Sequence, residues 1–137
     1  FDDTISGASN NNELQGFDGT DFIYGYGGSD FLGGGDGGDF LDGGAGTDHL
    51  QGGAGNDQFI FRAGESNGDA ALDFAGNGAA AGDNLLFIGY GTAGQGATFT
   101  QLNATQWQIT SADGLITDII TLTNGASVDA SDYGFGT

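Results

Sequence analysis

Large apolar residues recur every nine positions through the first half of the chain: Ile5, Leu14, Ile23, Leu32, Leu41, Leu50 and Phe59. Two positions before each stands Asp3, Asn12, Asp21, Asp30, Asp39, Asp48 or Asp57. Gly7, Gly16, Gly25, Gly34, Gly43 and Gly52 hold a third phase of the same period, and Gly19, Gly28, Gly37, Gly46 and Gly55 a fourth, with Asn10 in the first copy. A fifth phase is Gly35, Gly44 and Gly53 in the later copies but Ala8, Phe17 and Tyr26 in the earlier ones. Three residues centred on the apolar position suffice for a short strand whose centre faces inward and whose neighbours face outward. The six residues between must reverse the chain, which the glycines permit by adopting positive φ. The period therefore predicts a solenoid in which two nonapeptides make one coil and successive coils stack as parallel ladders. The expected fold class is all-β, with a parallel β-roll over residues 1–61.

The repeated unit reads G-G-x-G-x-D-x-U-x, with U a large apolar residue. Intact copies are Gly43-Gly44-Ala45-Gly46-Thr47-Asp48-His49-Leu50 and Gly52-Gly53-Ala54-Gly55-Asn56-Asp57-Gln58-Phe59. Here the sequence resembles the RTX (repeats-in-toxin, hemolysin-type) family of calcium-binding nonapeptide repeats. The resemblance implies a calcium-binding β-roll from a secreted bacterial protein. It also implies that Asp side chains share the metal with turn carbonyls, which places those carbonyls at Gly35, Gly37, Gly44, Gly46, Gly53 and Gly55, and at Phe17, Gly19, Tyr26 and Gly28. The first copy departs from the motif at Ala8, Asn10 and Asn12.

Composition sharpens the need for a cation. The 137 residues include 30 Gly and no Pro, Cys or Met, and 19 acids stand against one basic residue, Arg62, for a formal net charge of -18. One apolar side chain per strand makes a thin core, set against the large backbone entropy of a Gly-rich chain. An 18-residue coil stacks Asp3, Asp21, Asp39 and Asp57 in one column of turns and Asn12, Asp30 and Asp48 in the opposite column, where like charges repel. A cation between successive turns addresses both deficits. Carboxylate and carbonyl oxygens suit calcium, whereas magnesium prefers a stricter octahedron and zinc would want Cys or His, of which only His49 is present. Pairing down the columns predicts about four to five calcium ions, with the Asn12 site weakest.

After Phe61 the period stops. Strand-like runs follow at Asn84–Ile88, Thr98–Leu102, Gln106–Ser111 and Ile116–Leu122, separated by turn signals at Asn103-Ala104-Thr105, Asp113-Gly114 and Asn124-Gly125. Ala75–Gly82 reads as a small-residue loop. Residues 62–137 are expected to form an antiparallel β cap that protects the open end of the roll. Leu72-Asp73-Phe74 and Gly82-Asp83-Asn84-Leu85 resemble the segment that follows RTX repeats; Asp73 and Asp83 are either one further calcium site or solvated loop acids. The resemblance also implies an uncleaved type I secretion signal near the C-terminal end.

The charge excludes phosphate-binding surfaces and so a nucleic-acid partner, and no apolar run approaches a membrane-spanning length. No catalytic residue is predicted: His49 occupies an outward position, no nucleophile elbow or phosphate-binding loop is present, and the Asp columns read as metal ligands. Arg62 reads as one half of a local ion pair. The chain opens inside a repeat, at Phe1-Asp2-Asp3, so a longer parent protein is expected. The expected function is a non-catalytic module that folds on binding calcium, with the type I secretion machinery as partner and a secreted, extracellular or cell-surface location. The alternative is a structural or recognition module, assembling with itself or binding a surface polysaccharide. Phe22, Phe31 and Phe40, each one residue before an inward position, would form an exposed aromatic rank on one face as its contact surface.

Overall fold

Because the nine-residue unit alternates a turn with a short strand, successive units fall on opposite sides of the coil. In a computed structural model, which describes residues 1–76 and 82–137, the repeats form β1 (Thr4–Ser6), β2 (Glu13–Asp18), β3 (Phe22–Tyr24), β4 (Gly27–Gly28), β5 (Phe31–Asp36), β6 (Phe40–Asp42), β7 (Ala45–Gly46), β8 (His49–Ala54) and β9 (Gln58–Arg62). Residues farther along contribute β10 (Ala70–Ala71), β11 (Asn84–Ile88), β12 (Thr98–Gln101), β13 (Gln106–Thr110), β14 (Thr117–Leu122) and β15 (Tyr133–Gly136). Odd repeats feed a wholly parallel sheet, β1-β3-β6-β9-β11-β15. Even repeats feed the facing sheet, β2-β5-β8-β10-β14-β13-β12, in which only the pairs among β12, β13 and β14 are antiparallel.

The register places the apolar positions in two files. Ile5, Ile23, Leu41, Phe59, Leu85 and Tyr133 lie side by side in one sheet, and Leu14, Leu32, Leu50, Ala71 and Leu122 in the other. Ile23, Leu32, Leu41, Leu50 and Phe59 are fully buried, while Ile5 and Leu14 at the open end are only partly covered. The coil is thus a thin sandwich filled by one side chain from each strand.

The expected antiparallel meander is present as β12–β13–β14, whereas β10, β11 and β15 pair in parallel and extend the two sheets of the roll. Strand β9 runs through the expected boundary at residue 61, and Phe61 continues into an aromatic cluster with Phe87, Tyr90, Phe99, Trp107, Tyr133 and Phe135. Phe99 and Trp107 stack with ring centroids 4.7 Å apart. Here several large rings fill the interior, so this segment has the thicker core that the repeats lack. Most of the loop expected at Ala75–Gly82 (residues 77–81) lies outside the described residues.

The single aromatic rank is corrected. Phe22 and Phe40 stack on the outer face of the all-parallel sheet, with centroids 4.5 Å apart and planes 1° from parallel. Phe31 lies nine residues from each and therefore belongs to the other sheet, between Glu13 and His49.

Candidate metal centre

The turns between strands are built on alternating positive φ. Gly35, Gly44 and Gly53 have φ of 117°, 86° and 100°, and Gly37, Gly46 and Gly55 have 141°, 141° and 136°. A Cβ on Gly46 would fall on the carbonyl oxygen of Gly28 one coil earlier, and one on Gly37 would fall on that of Gly19. Glycine is therefore required there both for its φ and for the close approach of stacked turns. Phe17 (φ 76°) and Tyr26 (φ 75°) adopt the same left-handed geometry with a side chain attached. All ten positions expected to offer carbonyls, Phe17, Gly19, Tyr26, Gly28, Gly35, Gly37, Gly44, Gly46, Gly53 and Gly55, have positive φ, and five of them (Phe17, Gly28, Gly35, Gly46 and Gly53) fall within β2, β4, β5, β7 and β8. The carbonyl of Tyr26 already accepts the N–H of Ala45.

The Asp columns form as expected, and each carboxylate divides its two oxygens between different tasks. In one column Asp3, Asp21 and Asp39 donate their backbone N–H to Oδ1 of Asp21, Asp39 and Asp57, at 2.7, 2.8 and 2.9 Å. In the other, Asn12 and Asp30 donate to Oδ1 of Asp30 and Asp48, at 2.7 and 2.8 Å. The second oxygens of Asp21, Asp30, Asp39, Asp48 and Asp57 are buried and have no hydrogen-bond partner. Each of these five oxygens sits against a glycine of its own repeat (Gly16, Gly25, Gly34, Gly43 or Gly52), at the place a Cβ would occupy. Beside Gly16, Gly25 and Gly34 the same place is bordered by a carbonyl oxygen of the next coil, from Gly34, Gly43 and Gly52 respectively. Both neighbours of that place are acceptors, and the carboxylate oxygen has no donor.

Burial pushes the carboxyls of Asp39, Asp48 and Asp57 upward, most for Asp57, to about 6, against backbone N–H bonds that pull down and neighbouring carboxylates that push up again. A buried anion without a partner is costly and demands either a proton or a cation. No three side chains of His, Asp or Glu converge on one point among the described residues. An ion in these turns would therefore draw on one or two carboxylates and complete its shell from the backbone, which suits a hard cation of flexible coordination number.

The sites at the ends differ. Asp3 is exposed at the open end, and Asn12 is half-buried with its Oδ1 accepting the N–H of Ala8 at 2.7 Å. At the other end two residues outside the repeats complete the columns: Asp57 donates to Oδ1 of Asp83, and Asp48 to Oδ1 of Asp69, both at 2.9 Å. Sequence reasoning had not singled out Asp69, because the spacing lengthens from 18 to 21 residues at this step. Burial raises its carboxyl to about 7. Asp83 Oδ2 accepts the N–H of Ala75, and Asp73 accepts those of Gly52 and Gly53 through its two oxygens. Both residues are tied to backbone donors in the stack. Arg62 pairs with Asp42, its Nη2 at 2.6 Å and Nε at 2.8 Å from Oδ2, as the isolated positive charge suggested.

The model of the RTX calcium-binding nonapeptide repeat matches residues 1–32 and 33–65. These residues carry the RTX calcium-binding nonapeptide repeat. Among curated proteins no relative matches the sequence. The solution structure of the AlgE6R2 subunit of the Azotobacter vinelandii mannuronan C5-epimerase is similar over 97% of this chain and 92% of that one, with a TM-score of 0.60 and 29% identity. The AlgE6R3 subunit of the same enzyme aligns over 96% of this chain and 77% of that one, at 27% identity and a TM-score of 0.40. The RTX repeats bind calcium, and the buried partnerless oxygens are chemically suited to receive it.

Proposed function

We propose that this chain is a non-catalytic module that folds around about four to five calcium ions and serves export and extracellular stability of a secreted bacterial protein. The observation that supports this reading is the set of five buried carboxylate oxygens without a partner. Asp21, Asp30, Asp39, Asp48 and Asp57 would each supply one oxygen, with Asp3 and Asn12 completing the columns at the open end. The turn carbonyls from Phe17 through Gly55 would fill the remaining positions. Bound calcium would neutralise the columns and cross-link successive coils, so that binding energy becomes folding energy. At low calcium the repeats would remain unfolded and able to thread a type I exporter. Outside, at the roughly 10⁻⁴–10⁻³ M affinities of extracellular calcium modules, they would fold. The segment 62–137 would cap the growing roll.

The test is circular dichroism with and without chelator, together with an ion count by native mass spectrometry. A β signal that persists unchanged in excess EDTA would refute the calcium-folding reading. Export is tested separately, by following secretion of a fusion carrying this segment at its C-terminus.

A second reading, a recognition module for a surface polysaccharide, is favoured by the similarity to a subunit of an enzyme named for mannuronan. Binding of the calcium-loaded chain to immobilised polysaccharides tests it.

A further inference from the structure

Tyr26, like Phe17 (φ 76°, 72% exposed), departs from the later repeats. It occupies a slot that is glycine in the later copies, holds φ at 75°, and leaves its side chain 61% exposed. Left-handed geometry strains a residue that carries a Cβ. An exposed ring contributes little burial to offset it, and strain retained at an exposed position points to a role at the surface. Tyr26 lines a groove of about 340 Å³ together with Tyr24, Asp42, Gly44, Arg62 and Glu65. The two tyrosine rings lie 6.5 Å apart and tilt by 32°. The Arg62–Asp42 pair is fixed by two contacts to one carboxylate oxygen, with the Asp42 side chain 5% exposed and that of Arg62 41% exposed.

We propose that this groove binds a neutral saccharide, with Tyr26 and Tyr24 as its apolar walls and the Asp42–Arg62 pair as its polar end. The inference rests on the recognition reading, names its site, and departs from the acidic polymer in the similar enzyme's name by assigning a neutral ligand class. Aromatic rings offer a face to the C–H surface of a sugar, and a rigid carboxylate–guanidinium pair offers acceptor and donors to neighbouring hydroxyls. The charge decides against an acidic ligand. Arg62 is the chain's one Lys or Arg and is already engaged by Asp42, Glu65 stands beside it, and the formal charge of -18 exceeds the positive charge that about four to five calcium ions would bring. An anionic polymer would approach through a repulsive field.

The test uses the full chain in saturating calcium, titrated with cellohexaose, mannohexaose and a uronic-acid hexamer while amide and aromatic NMR shifts are followed. At least one neutral hexamer is expected to shift Tyr24, Tyr26, Gly44 and Glu65. Tyr26→Gly, which restores the repeat's own glycine and so preserves the stack, is expected to weaken binding about tenfold. Tyr26→Phe is expected to stay within about twofold, since the ring face remains. Dichroism in calcium establishes the fold of each variant, so a groove that fails to bind is distinguished from a roll that fails to form. The proposal is overturned if neither neutral hexamer shifts the groove, if only the uronate binds, or if Tyr26→Gly binds as tightly as the parent. Retention of the chain on a polysaccharide with shifts elsewhere would sink the groove while leaving the recognition reading intact.

Discussion

Asp39 accepts the backbone N–H of Asp21 on one oxygen, at 2.8 Å, and keeps the other buried with no partner. The first bond fixes the orientation of the carboxylate between two coils, and the second oxygen leaves a negative centre that the protein itself does not satisfy. The same division recurs at Asp21, Asp30, Asp48 and Asp57. Hydrogen bonding positions these groups, and a proton or a cation would neutralise them.

Replacing Asp39 separates the two tasks. Asp39→Asn keeps an oxygen for the Asp21 N–H but removes the charge. It should lower the ion count by at least one and raise the calcium concentration at the folding midpoint several-fold. Asp39→Ala also strands the Asp21 N–H and should cost a further 1–3 kcal/mol, roughly the penalty for an unsatisfied buried donor. Asp36, exposed in the same turn, is the control, and Asp36→Ala should change the midpoint much less. Native mass spectrometry and calcium-titrated dichroism check all three.

Acid should act oppositely on the metal-free and the calcium-loaded chain. The Asp57 carboxyl stands near 6 and that of Asp69 near 7 in the folded chain, both above the ordinary value of 3.8 because burial disfavours their charge. A folded state with raised carboxyl values binds more protons than the unfolded chain. Its relative stability is therefore greatest below about pH 4 and is lost as pH rises through 6 to 7. In EDTA, β content should consequently increase on lowering the pH from 7 to 4. In calcium, protons compete for the same oxygens, and the apparent affinity should fall over that interval. Circular dichroism across the two pH series checks both directions.

Gly46→Ala should prevent proper stacking at any calcium concentration, because the new methyl would meet the Gly28 carbonyl while the backbone holds φ at 141°. The loss should be about 3 kcal/mol or more, with backbone strain added to a contact that cannot relax without parting the coils. Gly64→Ala, at φ 78° with nothing within 4 Å, should cost only about 1–2 kcal/mol of conformational strain. Calcium-dependent unfolding curves for the two variants give the comparison.

The chain's last buried Asp in each column leans on a residue beyond the repeats. Asp83→Ala should remove the acceptor for the Asp57 N–H and also release Ala75. Protection of the Asp57 amide in hydrogen exchange should drop, while that of the Asp21 amide near the open end changes less. Equal loss at both amides would show that the roll melts as one unit instead of from this end.

The nine-residue period was enough to specify the parallel coil, the inward residues from Ile23 to Phe59 and the two Asp columns, because each depends only on what repeats along the chain. Other features depend on which segments come to lie side by side. The aromatic rank expected on one face is divided, with Phe22 and Phe40 stacked on one sheet and Phe31 on the other, since adjacent units alternate sides. Asp69 joins the second column across a lengthened spacing that no period reveals, and β11 and β15 run parallel to β9 although their sequence reads like any strand. The sequence by itself determined the pitch of the coil and the chemistry placed at each turn. The tertiary structure decided which oxygen of each Asp is held by a neighbouring N–H, which is left without a partner, and where the columns end. Those outcomes are set by hydrogen bonds between coils about 18 to 26 residues apart, and a local pattern carries no record of them.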